Sequence, residues 1–115
     1  MQALAVLKSK YGFLLLVDDA HGTLVLGPQG GGVADAVGLC EAVDVHIGTL
    51  SKAFGAQGGF VACTHNVKKL MVNAGRAYMF STALPVPVVA AALAALQVFR
   101  RCVADMLQAG MLQML

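Results

Sequence analysis

An unbroken run of five apolar residues, FLLLV at positions 13–17, constrains the fold of this chain most. A strand with water on one face alternates apolar and polar residues, whereas a strand buried on both faces reads as a continuous apolar run. The run therefore predicts a strand inside a parallel sheet that is covered on both sides. Further short extended segments are predicted at 43–49, 58–64 and 78–82, and the segment at 58–64 is expected to be antiparallel or at a sheet edge.

Helical patterns alternate with these strands. The first helix has lysines in its last turn and a glycine after its end, which is typical of a helix C-terminus. Alternating strands and helices predict an α/β fold with a mostly parallel sheet flanked by helices. The predicted helices are residues 2–10, a weak candidate at 33–43, an amphipathic segment at 66–77 and a long apolar stretch after Pro87.

The composition predicts that the chain is an interior part of a larger protein. Hydrophobic residues make up 58% of the 115 residues and charged residues 12%, against about 45–50% and about 25% in average globular domains. A domain of this size has a large surface for its volume and needs polar residues to cover it. We therefore expect missing segments or a partner subunit to bury much of the apolar surface.

Charge, hydropathy and cysteine patterns weigh against several other classes of protein. The net charge is only +2 and the basic residues are scattered, which argues against nucleic-acid binding. The apolar stretch at 83–99 has prolines at its start and loses its uninterrupted character after Leu96, so no membrane span is expected. The three cysteines lack metal-site spacing and are predicted to be buried, reduced thiols. This favours a cytoplasmic protein, with the peroxisome or another organelle as the alternative.

Reactive side chains follow two of the predicted strands at the point where each strand ends. Asp18, Asp19 and His21 come after the first strand, and Thr49 and Lys52 follow the second. In open α/β sheets, ligands bind beyond the carboxyl ends of the strands, so we expect these side chains at one crevice. A simpler alternative is that the aspartates cap a turn and the histidine points into solvent. An aspartate and a histidine also suit half of a metal site, but no further ligand stands at the spacing needed, so no metal is expected.

The lysine has a bare setting within GTLSKAFGAQGG at 48–59, which contains four glycines and no acidic residue. A solvated surface turn is the ordinary explanation for such a lysine. A carboxylate, an imidazole, a hydroxyl and an amine together also suit pyridoxal phosphate (PLP). That cofactor needs a lysine for covalent attachment and a carboxylate at its ring nitrogen. Glycines near the lysine would let the backbone approach the ring.

Three motifs resemble the α-oxoamine synthases: VDDAHGT at 17–23, GTLSKAFGAQGGF at 48–60 and YMFSTALP at 78–85. Members of that family are PLP enzymes of the type I, aspartate-aminotransferase-like fold that condense an acyl-CoA with an amino acid. The motifs are in family order and span most of residues 11–100. Within the family, GGGVAD, GAQGGFVACT and FSTALPVP most resemble the plant-type branch that makes 8-amino-7-oxononanoate from pimeloyl-CoA and L-alanine for biotin synthesis.

The resemblance implies roles for individual residues. Lys52 matches the lysine that holds PLP, and Asp18 matches the aspartate paired with the pyridine nitrogen. His21 matches the histidine near the phenolic oxygen of the cofactor, and Thr49 the hydroxyl beside the lysine. Catalytic roles are implied for Lys52, Asp18 and His21. Ser81 and Thr82 match a stretch that reaches the cofactor phosphate of a neighbouring subunit, which implies a homodimer with shared active sites.

The resemblance also implies a division of the chain and leaves alternatives open. Residues 1–100 are expected to be part of a PLP-binding large domain, and residues 101–115 a tail that continues a helix. Leu24 stands where the family usually has glycine or another small residue, and we expect it to crowd the following turn. A sister synthase of the glycine C-acetyltransferase, 5-aminolevulinate synthase or serine palmitoyltransferase type is one alternative. A catalytically silent truncated chain is the other.

Overall fold

A computed structural model describes residues 1–109 of the chain. Within them, five helices accompany one three-stranded sheet with the strand order β1-β2-β3. A short 3₁₀ turn at Cys40–Ala42 precedes the second strand. In chain order the elements are α1 Gln2–Tyr11, β1 Leu16–Asp18, α2 Val33–Ala36, β2 Val45–Thr49, β3 Gly59–Cys63, α3 His65–Ala74, α4 Arg76–Met79 and α5 Val86–Gln108.

The sheet combines the two kinds of strand pairing that the sequence predicted. Strand β1 runs parallel to β2, with Leu16 opposite Val45 and Asp18 opposite Ile47. Strand β3 runs antiparallel to β2 over its whole length, as expected for the segment at 58–64. The predicted α/β class is confirmed, and the sheet within residues 1–109 is mixed rather than mostly parallel.

Strand β1 begins later than the apolar run that predicted it. The N–H of Leu15 donates to the Asp44 carboxylate at 2.7 Å, and the Leu15 carbonyl accepts the Asp44 N–H at 2.9 Å. These bonds hold the backbone before Leu16 to the residue that precedes β2, and the residues before Leu15 are exposed. The regular ladder therefore starts at Leu16 and extends to Asp18.

Helix α1 is tied to the amino-terminal ends of β1 and β2 through Lys8. Gly12 ends the helix in the left-handed conformation, at φ 68°, and its N–H donates to the Lys8 carbonyl. The Lys8 amine contacts the Asp44 carboxylate at 2.5 Å and donates to the Ala42 carbonyl at 2.8 Å. The hydrogen bonds from Lys8 and from the Leu15 N–H lower the pKa of Asp44 below its usual value. This contact lies at the opposite end of the sheet from Asp18 and Thr49.

The hydrophobic core is small and lies on one face of β1. Leu15, Ala34 and Val43 are buried together, with Met1 and Val17 packed against them. Many large apolar side chains are exposed, from α1 through α5, so the apolar excess of the sequence lies at the surface of the described residues. The prediction that the cysteines are buried is wrong, because Cys40 and Cys102 are exposed and Cys63 is half-buried.

Two segments differ from their predicted structure for local reasons. The predicted helix at 33–43 is interrupted after Ala36, because Gly38 takes a positive φ of 66° that a helix does not accommodate. The predicted extended piece at 78–82 is wrong. Tyr78 and Met79 close helix α4, and their N–H groups donate to the Gly75 carbonyl at 3.0 and 3.1 Å.

Helix α5 begins at Val86, with Pro87 in its first turn, where a missing N–H costs no helical hydrogen bond. Its length and hydropathy are sufficient for a membrane span, although the core helices of soluble proteins can meet the same criteria. The absence of a membrane span therefore stays a prediction. The helix extends through residues 101–108, and residues 110–115 of the predicted tail lie outside the described residues. The division at residue 100 also stays a prediction.

Candidate active site

Two segments follow the carboxyl ends of the neighbouring strands β1 and β2. We call residues 18–33 the aspartate turn and residues 50–58 the lysine loop. The Asp19 N–H donates to the Ile47 carbonyl at 2.8 Å and makes the last hydrogen bond between the two strands. Asp18 is paired with Ile47, and Thr49 follows Ile47 by two residues, so Asp18 and Thr49 lie on the same face of the sheet.

The Asp18 carboxylate is exposed at the end of β1. Its Oδ1 accepts the Ala20 N–H at 3.0 Å, which starts a turn of the kind that aspartate side chains favour. Among the described residues, its Oδ2 has no hydrogen-bond partner. His21 lies in the same turn and is exposed. Both side chains are therefore open to a ligand at this end of the sheet.

The Asp19 carboxylate points the other way and is buried, with 8% of the residue exposed. Its Oδ2 accepts the Val33 N–H at 2.8 Å, which connects the turn to the start of α2. Its backbone carbonyl accepts the N–H groups of Gly22 and Thr23, both at 2.9 Å, and the Thr23 hydroxyl at 2.9 Å. The Asp19 carbonyl thus holds the turn that carries His21, and the Asp19 carboxylate holds the far end of the same segment at Val33.

The glycine-rich end of the aspartate turn folds around two carboxylates. Asp35 Oδ2 accepts the Gln29 and Gly31 N–H groups at 2.8 and 3.0 Å. A Cβ at Gly22 or Gly32 would collide with the Asp19 carboxylate, and one at Gly27 would collide with Asp35. Glycine is required at these places because backbone and carboxylate are in close contact.

Leu24, the residue at which the sequence departs from the similar family, has an unusual backbone conformation. Its φ is 61°, the only positive φ of a non-glycine residue among residues 1–109. Side chains other than glycine, asparagine and aspartate rarely adopt this conformation, because Cβ approaches the following carbonyl. A glycine at this position would fit the turn without strain.

Lys52 lies exposed in the lysine loop. The ends of the loop are joined by the Leu50 N–H, which donates to the Gly58 carbonyl at 2.9 Å. The Ala56 N–H donates to the Leu50 carbonyl at 2.7 Å, and the Gly55 N–H donates to the Lys52 carbonyl at 2.9 Å. Backbone hydrogen bonds therefore shape the loop, whereas the Lys52 amine has neither a hydrogen bond nor an ion pair among the described residues.

The Thr49 hydroxyl makes its hydrogen bonds inside the same loop. It donates to the Gly58 carbonyl at 3.1 Å, and it accepts from the Ser51 N–H at 3.2 Å and from the Ser51 hydroxyl at 2.7 Å. A hydroxyl has one donor and two acceptor positions, so these contacts occupy all of them. In this geometry Thr49 supports the loop that carries Lys52.

Ser81 and Thr82 lie in an exposed segment that passes beside the lysine loop. The Leu84 side chain comes within 2.8 Å of the position that a Cβ of Gly58 would take, so the segment after α4 lies against the end of the loop. The Ser81 hydroxyl donates to the Ala77 carbonyl. The role that the resemblance implies for Ser81 and Thr82 concerns a neighbouring subunit and stays a prediction.

A cleft of about 730 Å³ lies next to this region, between β3 and α3. Its lining is mainly apolar, including Phe60, Val61, Met71 and Val72, and its one charged lining residue is Lys68. None of the predicted site residues lines it. We place the site at the strand ends, because the reactive groups gather there and not in the cleft. Within residues 1–109, no group of three or more His, Cys, Asp or Glu side chains is arranged to hold a metal ion.

The sequence predicted the two strand ends but gave no separate role to three of the residues that shape them. Asp19 was grouped with Asp18 at the expected crevice, and neither Asp35 nor Ser51 was singled out. The run of glycines before an acidic first helical turn was a signal for Asp35, since glycine lets a backbone wrap a carboxylate. Ser51 had no signal beyond its position beside Lys52.

Comparison with known proteins gives the same family from sequence and from structure. Residues 1–111 match the family model for aminotransferase class I and II. The chain is 56% identical over 102 residues to 8-amino-7-oxononanoate synthase from Arabidopsis thaliana, a match that covers 88% of this chain and 21% of the relative. The chain thus spans about a fifth of the length of this curated relative.

Two solved structures resemble the described fold. A variant of serine palmitoyltransferase from S. paucimobilis with a bound PLP–myriocin aldimine has a TM-score of 0.78 and 36% identity, covering 85% of this chain and 25% of that one. An 8-amino-7-oxononanoate synthase from Francisella tularensis has a TM-score of 0.65 and 32% identity, covering 74% and 26%. These matches confirm the predicted resemblance to the α-oxoamine synthases and the predicted fold, part of the large domain of a type I enzyme.

Proposed function

The chain belongs to the aminotransferase class I and II family, and we propose that it acts as part of an 8-amino-7-oxononanoate synthase. The reaction is the decarboxylative condensation of pimeloyl-CoA with L-alanine, which releases CoA and CO2. Support comes from curated 8-amino-7-oxononanoate synthases that are 45–56% identical over most of the chain.

The unpartnered amine of Lys52 is the observation that carries this proposal. An exposed lysine in a hydrogen-bonded loop, directly after a strand of an α/β sheet, is available for covalent attachment of a carbonyl group. Its loop follows β2, and the neighbouring strand β1 ends at Asp18, which lies on the same face of the sheet as Thr49. A lysine that served only solubility would not need a neighbouring strand end with an exposed carboxylate.

The residues at the two strand ends fit PLP. The cofactor needs an amine for its aldehyde and a carboxylate for its pyridine nitrogen, and Lys52 and Asp18 supply these two groups. His21 follows Asp18 in the same turn and is exposed, so it is open to the cofactor's phenolic oxygen. Bound PLP supplies the electron withdrawal that makes the α-carbon of an amino acid acidic.

The chain's own residues then have distinct tasks. Lys52 would hold the cofactor, and its amine would move the proton at the alanine α-carbon as a general base and acid. Asp18 keeps the pyridine nitrogen protonated, because an anionic carboxylate beside a nitrogen base favours the protonated form. The Thr49 hydroxyl, through Gly58 and Ser51, keeps the lysine loop in one shape.

A homodimer with shared active sites is part of the proposal. Ser81 and Thr82 are exposed and lie in the segment that passes the lysine loop through the contact of Leu84 with Gly58. The exposed Thr82 hydroxyl is a suitable donor to a phosphate held by a second subunit, and the Ser81 hydroxyl would first have to release the Ala77 carbonyl, to which it donates here. The many exposed apolar side chains of α5 and its preceding segment also favour association with further protein surface.

A serine palmitoyltransferase activity is the second candidate, and the structural comparison favours it. The solved structure with the TM-score of 0.78 is a serine palmitoyltransferase, whereas the 8-amino-7-oxononanoate synthase structure gives 0.65. Sequence identity supports the first candidate, since the Arabidopsis relative is 56% identical over 102 residues. The two activities differ in the amino acid and the acyl-CoA that are used.

The experiment uses a chimera, because the chain spans about a fifth of its Arabidopsis relative. In this chimera, the matched residues of this chain replace the corresponding segment of the full-length Arabidopsis enzyme. We expect the chimera to bind PLP and to release CoA from pimeloyl-CoA with L-alanine, and not with L-serine or glycine. Turnover of L-serine with a long-chain acyl-CoA would favour the second candidate. A folded chimera without any turnover would support a catalytically silent chain.

A further inference from the structure

We propose that Asp19 is a positioning residue, which holds the Asp18 carboxylate and the His21 imidazole at the cofactor through its hydrogen bond to the Val33 N–H. This inference rests on the proposed function. It assigns a task to the second aspartate of the motif, whose side chain faces away from the site.

The burial of Asp19 supports this role. Asp19 is the one buried polar or charged residue among residues 1–109. A buried carboxylate is costly unless hydrogen bonds satisfy it. The chain satisfies this one with the backbone N–H of Val33, 14 positions away, and keeps Gly22 and Gly32 without side chains to make room. The arrangement is specific and extends beyond the turn itself.

The connections of the Asp19 backbone support the role as well. The Asp19 N–H is bonded to Ile47 in β2, and its carbonyl accepts three hydrogen bonds from Gly22 and Thr23. Ala20 and His21 lie between these contacts, and Asp18 comes directly before them. Once the side chain is anchored at Val33, the peptide units on both sides of Asp19 are fixed. Rotation of the turn would move both Asp18 and His21, and small misplacements of catalytic groups reduce rates strongly.

The task requires a hydrogen-bond acceptor and not a negative charge. The substitution Asp19→Asn would keep one acceptor oxygen for the Val33 N–H, whereas Asp19→Ala would leave that N–H without a partner. Asp18 differs, because the pyridine nitrogen needs a carboxylate to keep its proton. Substitution by asparagine should therefore have different effects at the two neighbouring aspartates: activity should be retained at Asp19 and mostly lost at Asp18.

The hydrogen bond can also be removed from its donor side. Val33 is the first residue of α2, a position that tolerates proline because the N–H there has no helical partner. Val33→Pro deletes the donor and leaves Asp19 in place. Asp35→Ala is the matched control, because it removes two hydrogen bonds of the same glycine-rich segment without touching the residues from Asp18 to Thr23.

The test measures kcat, the KM for pimeloyl-CoA, the melting temperature and the visible circular dichroism of bound PLP in variants of the chimera. We expect Asp19→Ala and Val33→Pro to lower kcat about 10- to 100-fold, to weaken the dichroism and to leave KM almost unchanged. The double variant should be no worse than the worse single one, because both remove the same hydrogen bond. Asp19→Asn should stay close to the parent, and Asp18→Asn should lose most activity. Asp35→Ala should lower only the melting temperature.

The outcomes separate this role from the proposed function. Normal kcat and dichroism in Val33→Pro, or a loss in Asp19→Asn as large as in Asp19→Ala, would overturn the positioning role in a working parent. The same holds if Asp35→Ala weakens the dichroism as much as Val33→Pro does. A parent chimera that neither binds PLP nor turns over would instead contradict the proposed function.

Discussion

The aspartate turn and the lysine loop follow neighbouring strands of the same sheet, yet the chain holds them in different ways. Two carboxylates accept backbone N–H groups of the aspartate turn: the buried Asp19 across 14 positions, and the half-buried Asp35 of α2 across 4 and 6 positions. In the lysine loop, the backbone closes on itself, and Lys52 extends without a partner among the described residues. The first segment is stabilised by carboxylates that accept its N–H groups, whereas the second exposes an amine that has no partner among the described residues.

Because of this difference, substitutions in the two segments should affect stability and activity differently. A group that has no contact in the protein contributes little to folding, so it can be removed without loss of stability. A buried carboxylate with several close neighbours cannot be removed without a loss of stability. The lysine loop should therefore tolerate substitutions that abolish chemistry, and the aspartate turn should not tolerate substitutions that disturb its packing.

The largest effect is expected from Lys52→Ala in the chimera. Turnover should fall by about 10²- to 10⁴-fold from the loss of proton transfer alone, and further because covalent attachment of PLP is lost. The melting temperature of the PLP-free protein should be unchanged, because the amine has no partner to lose. Steady-state assays and thermal unfolding measure the two quantities. Lys68→Ala is the control for loss of an exposed lysine, and it should retain turnover.

A pair of glycine substitutions compares the packing of the two segments directly. Gly32→Ala should cost about 3 kcal/mol of unfolding free energy, since its Cβ would overlap the Asp19 carboxylate and its φ is positive. Gly55→Ala should cost about 1 kcal/mol, because its φ is also positive but nothing lies within 4 Å. Urea unfolding of the two variants of the chimera measures both losses of unfolding free energy. Equal costs would show that the lysine loop is packed as tightly as the aspartate turn.

A smaller effect is expected within the aspartate turn at Leu24. Leu24→Gly should be more stable than Leu24→Ala by about 1 kcal/mol, because only glycine adopts a φ of 61° without strain. At an ordinary backbone position the order is reversed, since glycine loses more conformational entropy on folding. Unfolding free energies of the two variants decide the point. An alanine variant as stable as the glycine variant would mean that the turn relaxes out of the left-handed conformation.

Much of the fold could be predicted from local patterns. The lysines and glycine at the end of α1, the extended segment of β2 and the antiparallel β3 all have signals within a few residues. No local signal predicted the late start of β1, because this start depends on Asp44, which lies 29 positions from Leu15. The apolar letters of 78–82 suggested a strand, but the Gly75 carbonyl accepts two nearby N–H groups and a helical turn results.

The candidate site was predictable in outline and not in detail. Strand ends are visible in sequence, so Asp18, Thr49 and Lys52 could be grouped together. Which of two adjacent aspartates faces the site depends on the register of β1 against β2, and register is a property of the folded sheet. The contact of Asp19 with Val33 likewise requires α2 to be in place. The bonds of Thr49 within the lysine loop required the path of the loop back to Gly58.

The most direct test of the proposed site is to locate the covalent attachment of PLP. The chimera is loaded with PLP, reduced with borohydride, digested and mapped by mass spectrometry. We expect the cofactor mass on Lys52, since its amine is exposed and unpartnered among the described residues at the end of β2. A label on Lys8, Lys68 or Lys69, or on a lysine outside this chain, would contradict the assignment.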